Sequence, residues 1–190
     1  METKKFFLAA LTTMCAMTMT IVFTSCGSDD DNNDTPNSED TTPKKVMMNF
    51  TYYATEDMLT YCDVQVTVGN KTEAMTMTNT TKESIKGVEY YTWKQTVSAN
   101  ELPANFTFSR KVTLKQNIDD VAVFTFTRGY AYTFALYNAA DKKVKDGQPY
   151  KNIGNESGLG ANVTALINEG RLDNTSTFAF DKDGNEEMIK

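Results

Sequence analysis

The chain has 190 residues, with 25 acids, 19 bases, three cysteines and no histidine. The length suits one domain, or one domain plus a tail, and the missing histidine excludes Ser-His-Asp triads, a histidine general base and histidine-ligated zinc. The formal charge of −6 disfavours nucleic acid as a partner.

The first element in chain order is a targeting segment. Lys4 and Lys5 precede an uncharged run from Phe6 to Phe23, long enough to span a bilayer, so a retained anchor is one reading. The run ends in Phe23-Thr24-Ser25-Cys26-Gly27. This resembles the lipobox of bacterial lipoproteins, with Phe23 where that family prefers leucine. The resemblance implies cleavage after residue 25 and acylation of Cys26. Several acyl chains hold a protein durably in a membrane at about 0.8 kcal/mol per buried CH₂.

Residues 27–43 carry six acids, no base and no large apolar residue. Such a segment cannot bury surface and reads as a disordered tether. Ser28-Asp29-Asp30-Asp31 is similar to the export signal of Bacteroidota surface lipoproteins. It implies a domain on the outer face of the outer membrane; a periplasmic domain behind a plain spacer is the competing reading. Asp40-Thr41-Thr42 resembles the O-glycosylation motif of the same group, which makes Thr41 a candidate glycan acceptor. The domains expected are therefore 1–25 signal, 26–43 lipidated tether and 44–190 folded domain. The last holds 17 bases and 18 acids, so the net charge belongs to the tether.

From Lys44 onward the dominant pattern is period two, the mark of strands with one buried face. Met48, Phe50 and Tyr52 alternate with polar residues, as do Cys62, Val64, Val66 and Val68. Gly69-Asn70 supplies a hairpin turn before Thr72–Thr78. Tyr91, Trp93 and Val97 share a face, with Asn100 to Pro103 as a break. Phe106, Phe108, Val112 and Leu114 share another, on which Arg110 intrudes and predicts a bulge or strand end. Val121–Phe126 leads to a kink at Arg128-Gly129 and then to Tyr130, Tyr132, Phe134 and Leu136. Leu159, Val163, Leu166 and Ile167 have helical spacing and predict a short helix at 160–169. Phe178 and Phe180 precede a turn at 181–185. The fold class is all-β: an immunoglobulin-like β-sandwich of about seven strands with one short helix.

No catalytic constellation emerges. Cys62 sits in register with core valines and reads as a buried thiol. The run Gly154–Gly160 lacks both the P-loop ending and the third dinucleotide glycine, and reads as a flexible loop. Asp119-Asp120 and Glu186-Glu187 are neighbours that an extended chain points to opposite faces. Asp181-Lys182-Asp183-Gly184-Asn185 lacks the calcium-loop spacing. No cofactor or metal is implied. Aromatics are the remaining lead. Tyr53, Tyr90 and Tyr137 fall on the non-core faces of their strands, with Tyr150 in a loop, and exposed rings stack on sugars or anchor proteins. The sequence thus points to a non-enzymatic surface lipoprotein that binds a glycan or protein. A structural or accessory subunit of an envelope assembly, joined through edge strands, is the alternative.

Overall fold

The computed structural model describes residues 40–189. The signal segment, Cys26 and the tether before residue 40 lie outside the described residues. Alternating burial builds the core, as in β1 (Lys45–Ala54), where Val46, Met48, Phe50 and Tyr52 are buried while the residues between them are more exposed up to Thr51. The same alternation shapes β2 (Cys62–Val68) and β12 (Asn174–Phe180).

Thirteen strands and two helices are found among the described residues. A front sheet has the order β10-β8-β1-β5-β4, with β9 also pairing β8. Its members are β10 (Tyr150–Asn152), β8 (Tyr130–Tyr137), β1, β5 (Val88–Ala99), β4 (Thr81–Ile85) and β9 (Lys143–Asp146). A back sheet runs β13-β12-β6-β2-β3, using β13 (Glu186–Ile189), β6 (Ala104–Leu114) and β3 (Lys71–Met75). The small pair β7 (Phe124–Thr127) and β11 (Asn155–Gly158) stands apart. Every pairing is antiparallel, and β1–β5 holds one continuous register from Val46↔Ala99 to Ala54↔Tyr91.

The two sheets face each other through aromatic rings. Phe50 of the front sheet stacks on Phe108 of the back sheet, with centroids 4.1 Å apart at 10°. Tyr132 meets Phe178 edge-on at 4.5 Å, and Phe134 meets Phe180 at 4.9 Å. The protein is therefore an all-β sandwich. The strands beyond the seven expected are short, polar edge pieces such as TKESI, KVKD and NESG. With little buried surface on either side, they show no alternation that a sequence reading could detect.

The helix expected at 160–169 is α2 (Gly160–Asn168), which buries Val163 and Ile167. The helix α1 (Glu56–Tyr61) was not expected. Its signal is a Thr55 N-cap whose hydroxyl accepts from Met58 N, followed by Glu56 and Asp57 in the first turn. Residues 154–160 are not a loose loop. They form β11 and the start of α2, and Gly160 is required there because a Cβ would lie 1.7 Å from the Ile118 carbonyl oxygen.

Arg110 corrects another expectation. Strand β6 keeps an unbroken register with β2 through it, with no bulge, while its pairing with β12 ends at this residue. Its side chain is fully buried and donates from one Nη to the Tyr53 carbonyl at 3.2 Å and from the other to the Leu172 carbonyl at 3.1 Å. The strand continues because the guanidinium finds backbone acceptors inside the sandwich.

The ring stack between the sheets gives a direct expectation. Phe108→Ala removes a fully buried side chain and should cost about 3–5 kcal/mol. Urea unfolding followed by far-UV circular dichroism measures it; a loss below about 1 kcal/mol would show that Phe108 does not carry the sheet contact.

Candidate functional site

The side chains of β1 that point away from the core are Lys45, Met47, Asn49, Thr51 and Tyr53. Pairing sets their neighbours in cross-strand rows. Thr51 lies between Lys94 and Ala131, with Lys151 beyond Ala131. Asn49 lies between Thr96 and Thr133, and Met47 between Ser98 and Ala135. Lys45 pairs with Tyr137. The outer face of these three central strands is thus rich in hydroxyl and amide groups and bears no carboxylate. Thr96 Oγ1 donates to Asn49 Oδ1 at 2.7 Å.

The three tyrosines singled out in the sequence do lie on this one face, at opposite ends of it. Eight residues separate Lys45, beside Tyr137, from Tyr53, which is about 27 Å along a strand. Tyr53 and Tyr90 meet edge-on at 6.0 Å and 85°. They are not an exposed platform, being only 3% and 4% accessible. The reason is a strap across the sheet. Lys151 of β10 pairs with Glu83 of β4 at 3.1 Å, and its ammonium sits 5.8 Å from the Tyr53 ring centroid. On a flat sheet four strand spacings would hold those edges about 19 Å apart, beyond the reach of a lysine and a glutamate. The sheet is therefore curled, concave outward, and the rings lie beneath the pair. Burial raises the Tyr53 and Tyr90 hydroxyls above their ordinary range.

Tyr137 is half-buried and stands at the other end. It lines a cavity of about 260 Å³ with Lys45, Met47, Ser98, Asn100 and Asp141. Lys45 Nζ and Asp141 Oδ1 meet at 2.5 Å on its rim. An aromatic ring beside hydroxyl, amide and charged groups is a chemistry that fits a sugar ring. Its other members were missed because they come from three elements that only the register brings together. Tyr150 belongs to β10 rather than a loop. It stacks inward on Tyr130 and Tyr132 at 5.2 Å each.

The other candidates resolve as structural. Asp181 uses its carboxylate on its own turn, accepting from the backbone N–H of Asp183 and Asn185 and from the Asn185 amide. Among the described residues, no group of three or more cysteines, aspartates and glutamates could hold a metal ion. Thr41 is exposed, and the chain there is tied down by Asn138 Nδ2 donating to the Asp40 carbonyl at 2.6 Å. Cys26 lies outside the described residues. Comparisons with family models, with curated proteins and with solved structures each find no match.

Cys62 is fully buried, and desolvation pushes its thiol from 9.0 up to about 11. Native protein at pH 8 should therefore resist Ellman's reagent, with one thiol of the folded domain reacting only in urea. The folded state holds a proton that the unfolded chain releases near pH 9. The stability this gives is complete below pH 9 and is lost as pH rises toward 11. Rapid labelling of the native protein at pH 8 would contradict the buried placement.

Proposed function

We propose that the chain is a non-enzymatic, lipid-anchored protein of the outer cell surface whose β-sandwich binds a glycan. The anchor is Cys26, with the acidic tether as the export signal and Thr41 as a modification site outside the binding face. The observation that carries the binding reading is the concave outer face of the front sheet. It offers Asn49, Thr51, Thr96 and Thr133 to hydroxyl groups, with the Tyr137 cavity at one end.

The chemistry is consistent with binding rather than turnover. The chain has no histidine, and the Cys62 thiol is held protonated by burial. A curled sheet face presents many weak polar contacts along one line, which suits an extended chain of sugars. Tyr137 supplies a stacking surface where affinity would concentrate.

A second reading, an accessory subunit of an envelope assembly, is supported by a separate feature. From Trp93 to Ala99, β5 pairs with β1 on one side and with no strand on the other among the described residues.

A glycan array probed with the full chain tests the first reading. The expected result is binding that Tyr137→Ala weakens about tenfold, equivalent to about 1.4 kcal/mol, while Tyr53→Phe leaves it unchanged. No binding to any glycan, or full binding by Tyr137→Ala, would end it.

A further inference from the structure

We infer that the free edge of β5 is a docking site for an extended peptide segment of a partner protein, added as a strand in line with β4. The inference goes beyond the glycan reading, uses different residues and gives the accessory-subunit reading a site.

Three observations carry it. The first is the length of the edge. Strand β5 has twelve residues, and β4 covers only Val88–Thr92. The seven residues Trp93–Ala99 have no strand partner on one side among the described residues, where the Gln95 amide donates to the Thr96 carbonyl at 2.9 Å. Unpaired strand edges template pairing with another chain, and proteins usually cover them. Here the covering strand stops short.

The second is a cavity beneath that edge. It measures about 150 Å³ and opens between the sheets, lined by Trp93, Gln95 and Val97 of β5 together with Val68, Lys71 and Glu73. Those β5 residues point inward. In an added strand, the residue opposite Gln95 would point inward with them, into the cavity. Main-chain bonds along the edge would supply affinity, and this pocket would supply specificity.

The third observation sets the partner's chemistry. The pocket has Trp93, Val68 and Val97 as its apolar walls and Gln95 with the paired Lys71 and Glu73 as its polar side, and it has room for one aliphatic side chain of leucine size. On the outer side, Lys94 is exposed and favours an acidic residue opposite it. The protein's own tether cannot supply this segment, because residues 27–43 contain no large apolar side chain. The occupant is thus a foreign strand with an aliphatic residue inward and an acid beside it outward.

Trp93 is the one tryptophan in the chain, so its emission reports on this pocket. The probe is a synthetic capped heptapeptide that runs antiparallel to β5, with leucine fifth, glutamate sixth and threonine elsewhere. Titrated into the full chain, it should change Trp93 emission saturably. Moving the leucine to the fourth position turns it outward and should weaken binding about tenfold. N-methylation of the alternate amides that face β5 should weaken it by about tenfold or more, because two or three hydrogen bonds are lost. N-methylation of the other amides should change it by less than about threefold.

Three results would overturn the proposal. One is no saturable change with the in-register peptide. Another is equal binding by the shifted or edge-methylated peptides. The third is a Trp93 change that follows protein concentration alone with a dimer in sedimentation, which would mean that a second copy takes the edge. A positive glycan array with a failed peptide titration would remove this inference and leave the glycan reading standing; the reverse pattern would do the opposite.

Discussion

The sandwich depends on how it accommodates one buried cation. Arg110 stands on the core face of β6, fully buried, where an unsatisfied guanidinium would cost several kcal/mol. It is tolerated because two separate parts of the fold, β1 and the segment after α2, converge on it. The Tyr53 carbonyl comes from the front sheet, the Leu172 carbonyl from the segment after α2, and the Tyr52 ring lies 5.4 Å from the guanidinium carbon. The accommodation is incomplete. Nε has no partner among the described residues, and desolvation lowers the group from its ordinary range to about 10. The arrangement therefore contributes mainly by fixing geometry. One bond ties β6 to the end of β1, and the other ties it to the segment after α2.

That placement propagates outward. Fixing the end of β1 at Tyr53 fixes which residues of the front sheet face solvent. From there the register places Tyr53 under the Lys151–Glu83 strap and Tyr137 in an open cavity eight residues away. The same register leaves the outer edge of Trp93–Ala99 without a strand partner among the described residues, above the gap between the sheets. Neither surface is built from a sequence motif. Both follow from where strands begin and stop.

The sequence was most legible where one physical signal dominated. Period-two burial marked β1, β2, β5 and β6, and helical spacing marked α2, because each buries an apolar stripe. The short edge strands gave no such signal. The six-residue helix α1 announced itself only through its Thr55 cap. Arg110 was read as a break because residue type alone cannot show that two backbone carbonyls await it. Face parity was read correctly for Tyr53, Tyr90 and Tyr137, but parity carries no information about curl. A strap between edge strands that are far apart in sequence covered two of the three rings. The glycine at 160 looked like flexibility and is instead a close contact with Ile118.

The central claim is that Arg110 ties the back sheet to the front sheet and to the segment after α2 through its two carbonyl bonds. Urea unfolding of Arg110→Met beside the unsubstituted protein tests it most directly. Methionine matches much of the volume and removes the desolvated charge, but it leaves two buried carbonyls without a donor. The account predicts a net loss of about 2 kcal/mol or more. An Arg110→Met protein as stable as the parent, or more stable, would contradict it and would mean that the cation is only a tolerated cost.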